Sequence, residues 1–245
     1  MKVISLGWGI QSWTMAVMSA LGELELVDAA IHADTTHERS GTYAFAEKRT
    51  PWLCSQGVRV VTVKGSDPQP INKYGGVMIP AFTQGILQRQ CTDNWKRSPM
   101  RRWLQAHRDK QPIEMWIGIS WDESQRMKPS DVKYITHRWP LIEKRMTRQD
   151  CVKWLQNHYL EVPPKSACVM CPFQSRERWR EMRLSDDGDW QKAVEVDEMI
   201  RKARPPYDLF VHPSRRPLRE VGNNIDTQPS FFDMESEECS GMCFV

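Results

Sequence analysis

Between residues 2 and 63 the chain alternates short apolar runs with amphipathic ones, and its first run breaks into a glycine turn, Gly7-Trp8-Gly9-Ile10-Gln11-Ser12. Residues 2–6 and 27–33 have the length and apolar character of buried strands, and residues 58–63 predict a third. Residues 11–23 carry Trp13, Ala16, Val17, Ala20 and Leu21 on one helical stripe, with Gly22 placed to end it. Residues 40–56 predict a second helix. A strand, helix, strand, helix, strand order demands a parallel sheet covered by helices, because parallel neighbours need a crossover connection. Residues 66–85 predict a loop, 96–108 a helix with Pro99 in its first turn, and 113–120 another buried strand. Residues 128–134 show no regular pattern. Thr147 and Asp150 predict the capped start of a helix over 147–158. The loop at 163–173 is followed by polar, helical sequence to residue 203. From Arg204 the composition predicts loosely structured chain. Two units follow: an α/β domain over 1–160 and a cysteine-containing helical extension and tail over 161–245.

A glycine turn between a first strand and a first helix is a place where phosphates bind. Backbone N–H groups converge there, and the helix N-terminus adds partial positive charge. Gly7 and Gly9 allow close backbone approach, and Ser12 offers a hydroxyl. The pattern is neither G-x-G-x-x-G nor a Walker loop, so a plain tight turn stays open beside the phosphate site. The second strand ends in Asp34, where a carboxylate can accept from a ribose hydroxyl, help hold a magnesium ion, or cap the next helix.

Seven cysteines, an odd number, argue against a disulfide framework. Cys168-Val169-Met170-Cys171 is the sharpest chemical signal, since two thiolates at this spacing grip one metal centre from a single turn. Cys91, within a basic stretch, is the best third ligand, and Cys239 or Cys243 a fourth. An iron–sulfur cluster, structural zinc, and inert or redox thiols all remain open. Cys54 and Cys151 fall on helices and predict core thiols.

Residues 89–110 hold seven Lys or Arg against two Asp, which suits an anionic substrate, a phosphate or nucleic acid, and equally a solvated helix face. The N-terminus enters its first strand without a signal-peptide pattern, and no apolar run approaches a membrane span, so the expected location is cytoplasmic.

Together these segments resemble the PP-loop superfamily of adenine-nucleotide enzymes, in its phosphoadenosine phosphosulfate (PAPS) reductase-like branch. Gly9 and Ser12 match the family's Ser-Gly-Gly-Lys-Asp-Ser loop, whose Lys and Asp positions are Ile10 and Gln11 here. Cys91, Lys96 and Pro99 keep the spacing of a Cys-Cys-x-x-Arg-Lys-x-x-Pro-Leu motif, with Thr92 and Trp95 at its second Cys and its Arg. Gly118, Glu123, Ser124 and Arg126 are similar to a segment whose Arg faces the substrate's phosphate or sulfate. Cys168 and Cys171 match the second cysteine pair, and Glu238-Cys239 resembles a tail whose thiol attacks sulfur.

The resemblance implies a doubly wound, mostly parallel α/β fold and an enzyme of sulfur chemistry on ATP, PAPS or adenylylsulfate. It implies a 4Fe-4S cluster on Cys91, Cys168 and Cys171, nucleotide contacts from Gly7, Gly9, Gln11, Ser12, Asp34 and Lys96, and catalysis by Cys239 and Arg126. A thiol or thioredoxin-like electron donor would be the partner. The competing expectations are ATP-dependent thiolation or modification of tRNA or DNA, and a non-catalytic, zinc-stapled nucleotide-binding module.

Overall fold

The computed structural model describes residues 1–222. Cys239 and Cys243 lie outside them. One sheet of five strands organises the chain: β1 (Lys2–Ser5), β2 (Ala29–Asp34), β3 (Val60–Lys64), β4 (Ile113–Trp116) and β5 (Ile135–Arg138). Their order is β3-β2-β1-β4-β5 and every pairing is parallel. Helices α1 (Ile10–Ala20) and α2 (Ser40–Ser55) carry the first two crossovers. The connection from β3 then returns across the sheet through α3 (Ser98–His107) to β4. Right-handed crossovers in opposite directions place helices on opposite faces, so the sheet is doubly wound.

The pleat sorts the core. Val3, Ala29, Ile31 and Met115 pack with Met100 and Leu104 of α3. Their immediate neighbours Ile4, Ala30 and Trp116 point the other way. They meet α1, α2 and, from further along the chain, α4 (Pro140–Glu143) and α5 (Arg148–Asn157). Trp13 centres this second layer, with ring centroids 5.3 Å from Phe45, 5.9 Å from Trp52 and 6.0 Å from Trp8. Helix α5 starts as expected: Thr147 Oγ1 accepts from the Asp150 N–H at 3.1 Å, and the Asp150 carboxylate accepts from the Thr147 N–H at 3.0 Å. Gly22, at φ +80°, lies just past α1.

A third core belongs to the C-terminal part. Helices α6 (Arg176–Leu184), α7 (Asp189–Ile200) and α8 (Leu218–Gly222) bury Trp179, Met182, Ala193 and Ile200. Met78, Ile79, Ala81 and Trp95, from the long connection after β3, join them. Phe82 and Phe210 exchange backbone hydrogen bonds of 2.7 and 3.0 Å across this join. Two buried carboxylates brace it. Asp189 accepts from the Ser40 N–H at 2.8 Å, holding α7 against the start of α2. Asp197 accepts from the Val211 and Leu218 N–H groups at 2.9 Å each, and pairs with Arg201.

Residues 128–134 are irregular as expected, and β5 follows them where no strand was anticipated. Two expectations are corrected. Residues 204–222 are not loose, because Leu209, Val211 and Leu218 are fully buried and Val221 nearly so. Cys54 is on α2 but exposed, since it follows the helix's outward face, whereas Cys151 on α5 is a core thiol that burial pushes up to about 12.

Candidate functional site

β1 has β2 on one side and β4 on the other, and the connections leaving β1 and β4 diverge. In open α/β sheets that divergence opens a crevice beyond the carboxyl ends of the strands. Here it is a cavity with a mouth open to solvent. It gathers residues far apart in sequence: Gly7, Gly9, Gln11 and Ser12 from the turn after β1, Gly118 and Arg126 from the segment after β4, and Lys96, Cys91, Cys168 and Cys171 from the third core's side.

The turn's one left-handed residue is not a glycine. It is Trp8, at φ 57°, and Gly9 is extended at φ −87°. A left-handed residue bearing a Cβ costs roughly 1–2 kcal/mol. Burial of the indole offsets this, since Trp8 is packed against Trp13, His32 and Phe45. The glycines serve close approach. A Cβ on Gly9 would lie 3.2 Å from Ser166 Oγ, and one on Gly118 only 3.0 Å from the Ser12 backbone nitrogen. Ser12 Oγ accepts from the Gly7 N–H and donates to the Gly9 carbonyl, both at 3.2 Å, so this hydroxyl shapes the turn. The first N–H groups of α1 have no partner within the helix, and α1 has no acidic residue in its first turn. Both features favour an anion there.

Charge on the cavity wall points the same way. Arg89, Lys96, Arg126, Arg148, Lys165 and Arg178 stand against one carboxylate, Glu123. Glu123 pairs with Arg126 at 2.6 Å and accepts from Gln11 Nε2 at 3.2 Å, which links the turn to the segment after β4. The Arg126 Nε is buried without a hydrogen-bond partner. The basic stretch 89–110 divides: Arg89 and Lys96 face the cavity, while Arg97 and Arg101 pair with Asp131.

The cysteine loop is held at the end of β2. Val169 N–H donates to the His37 carbonyl at 2.8 Å, and Arg39 N–H to the Ala167 carbonyl at 3.1 Å. Cys168 Sγ lies 3.4 Å from Thr35 Oγ1 and 3.7 Å from Glu38 Oε1, and Lys96 Nζ is 3.5 Å from the same Glu38 oxygen. Burial pushes the Cys168 thiol well above its ordinary range, the Glu38 charge adds to this, and Lys96 opposes it. Three thiols on one cavity wall are a soft donor set of the kind that binds iron–sulfur centres or zinc. Their spacing is open: among the described residues no three His, Cys, Asp or Glu side chains converge on one ion position.

Asp34 sits apart from the cavity lining. Its carboxylate accepts from the Thr36 N–H at 2.7 Å and from the Tyr43 hydroxyl at 2.8 Å, and pairs with Lys64 at 2.9 Å. Thr35, one residue on, lines the cavity instead. Burial raises the Asp34 carboxyl, but Lys64, Thr36 and Tyr43 outweigh it and hold the group below the usual carboxylate range. A depressed folded value means the stabilisation is present above the unfolded value and is lost as pH falls through the folded one. Asp34→Asn should therefore cost about 2 kcal/mol at neutral pH and flatten the acid limb of the stability profile. Urea melts of both proteins from neutral to acid pH check this, and parallel limbs would count against it.

Sequence reasoning passed over Glu38, Arg148, Lys165, Gln174 and Arg178, single polar residues whose meaning lies in where the fold brings them. Among the described residues no helix is long and apolar enough to cross a membrane.

No known family profile matches the chain, and no curated protein matches it in sequence. Among solved structures, it is similar to phosphoadenylyl-sulfate (PAPS) reductase from Candida auris in a phosphate complex. The identity is 11%, the TM-score 0.45, and the match covers 66% of this chain and 74% of that one.

Proposed function

We propose that this chain is an enzyme of the sulfonucleotide reductase kind, which binds an adenine nucleotide by its phosphates and performs sulfur chemistry beside it. The observation that carries the proposal is one cavity lined by the α1 turn, by six cations against one carboxylate, and by three cysteines. In this reading the first-turn N–H groups of α1 and the Arg126 guanidinium hold the phosphate or sulfate of PAPS or adenylylsulfate. Glu123 keeps Arg126 in place until the anion displaces it. Cys91, Cys168 and Cys171 would hold an iron–sulfur cluster, with zinc as the alternative occupant. If bound there, such a cluster would supply electron-transfer capacity at that wall. The Cys239 thiolate attacks the substrate sulfur, the sulfur–oxygen bond to the nucleotide phosphate breaks, and a thiol or thioredoxin-like donor then releases sulfite by forming a disulfide. Lys96 and Arg126 supply the field that favours thiolate over thiol.

Anaerobic purification, iron and acid-labile sulfide analysis, and a sulfite assay with adenylylsulfate and PAPS test the proposal. The expected protein is brown and releases sulfite, and Cys239→Ser loses that release. A colourless protein with stoichiometric zinc and no sulfite release would overturn it.

A second reading, ATP-dependent modification of nucleic acid, is favoured by one observation. Trp121 is 47% exposed on the segment that carries Glu123 and Arg126, with Arg145 placed 6.0 Å from its ring centre. An exposed indole beside a guanidinium, two residues from the cavity-lining Glu123, offers stacking to an unpaired base. Pyrophosphate release that depends on added RNA or DNA would support it.

A further inference from the structure

The one carboxylate among the described residues of the cavity lining has its position fixed by two donors from separate segments. Glu123 Oε2 lies 2.6 Å from Arg126 Nη1 and accepts from Gln11 Nε2 at 3.2 Å. Gln11 belongs to the first turn of α1, and Arg126 to the segment after β4. Both donors meet on the same oxygen. The Gln11 amide nitrogen, and not its oxygen, faces the carboxylate, because two acceptors would repel. All three side chains line the cavity. Arg126 keeps 17% of its side-chain surface exposed and Glu123 20%, so solutes in the cavity reach both partners.

The segment does not need this pair to hold its place. The Trp121 N–H donates to the Met146 carbonyl at 2.7 Å, and the Asp122 carboxylate accepts from the Arg148 N–H at 3.0 Å. Gly118, further back, packs against the Ser12 backbone. The backbone is therefore anchored on both sides of Glu123 without its carboxylate. What the carboxylate adds is a negative charge where the wall is otherwise cationic. A guanidinium and an amide N–H converging on one charged oxygen is also the arrangement that holds an oxygen of phosphate or sulfate. The fold has built an oxyanion position, and the chain's own side chain fills it.

We propose that Glu123 is an internal occupant of the anion site and sets what the site accepts. The proposal rests on the reading of this cavity as a phosphate-binding site. A ligand oxygen that takes the position must first separate Glu123 from Arg126. A single small anion such as sulfate has little else to gain and binds weakly. A ligand with two anionic groups keeps hold of Arg148, Lys165 or Arg178 on the same wall while one of its oxygens replaces the carboxylate. The occupant thus selects polyphosphate-bearing ligands over free inorganic anions.

Calorimetric titration of the full chain with pyrophosphate and with sulfate tests this. Glu123→Gln keeps the side chain's shape and removes its charge, and Glu123→Ala removes the group altogether. An ion pair at the strong end of the exposed range is worth about fivefold, and this one is mostly buried, so both variants should bind both anions at least about fivefold more tightly than the parent. Asp122→Asn makes the same charge change one residue away, on an exposed side chain outside the cavity lining. It should alter affinity by less than about twofold, because solvent screens it. In an Arg126→Met background, Glu123→Gln should gain nothing, since the two effects are coupled through one contact. A gain that persists there would show that Glu123 acts through its field alone and would overturn the occupancy. Unchanged or weaker pyrophosphate binding by folded Glu123→Gln and Glu123→Ala would overturn it too, while leaving the phosphate site standing. Pyrophosphate binding by Glu123→Gln but not by the parent supports the occupancy in its strongest form. If the parent and every variant fail to bind pyrophosphate, the phosphate-site reading falls and takes this proposal with it.

Discussion

Gly118→Val should abolish binding of phosphate ligands, with a loss of at least 100-fold, about 2.8 kcal/mol. Gly118 does not have a left-handed backbone, so the restriction is space alone. A Cβ there would lie 3.0 Å from the Ser12 nitrogen and 3.2 Å from its Cα. Both are backbone atoms of the first turn of α1, and no flexible side chain can yield. Something must move, and Ser12 is the residue whose hydroxyl ties Gly7 to Gly9. Pushing it away therefore spreads the turn and turns the helix N-terminus off the anion. Overpacking of this kind also costs roughly 1–3 kcal/mol of stability. Titration with pyrophosphate and a melting curve separate the two effects. A folded Gly118→Val protein that binds within threefold of the parent would show that the approach of the two segments is irrelevant to the site.

Asp197→Ala should cost about 3–5 kcal/mol of stability. The carboxylate is fully buried and accepts from two backbone N–H groups while facing Arg201. Its removal strands a guanidinium and two amide donors at once, each with a desolvation penalty. Asp197→Asn keeps one good acceptor and should lose roughly half as much. The donors belong to Val211 and Leu218, so the change also loosens the strap that closes the third core over Trp179. Urea denaturation followed by tryptophan fluorescence reads it directly, and a loss under about 1 kcal/mol would contradict the role assigned to this carboxylate.

The sheet was largely legible because its strands are apolar on both faces and stand at regular distances from helical stripes. β5 escaped detection because only Ile135 of Ile-Thr-His-Arg is buried, so an edge strand carries almost no pattern. The segment 204–222 escaped for a related reason. Leu209, Val211, Leu218 and Val221 are scattered among Pro, Arg and His, and irregular chain has no period to betray which side chains are inside. In the site, the glycine turn and the cysteine pair announced themselves through short-range spacing, and Gly7, Gly9, Gln11, Ser12, Cys91, Lys96, Arg126, Cys168 and Cys171 all line the same cavity. Asp34 was drawn to the site by its place at a strand end, yet that place also gave it Lys64 from the next strand and Tyr43 from the next helix. The turn's left-handed conformation falls on Trp8, because a large side chain with enough buried contacts can hold a conformation that glycine would adopt freely.

The third core draws its members from two separated stretches of chain, and this has a consequence during synthesis. Met78, Ile79, Ala81 and Trp95 are translated with the sheet, but the side chains that cover them run from Val169 to Val221. At ordinary elongation speeds the interval is on the order of ten seconds. Throughout it, the nascent polypeptide carries a greasy patch with no lid, next to a half-made sheet. A ribosome stalled between the two stretches would display that patch indefinitely, so holding chaperones should bind arrested chains ending near residue 160 far more than chains released at full length.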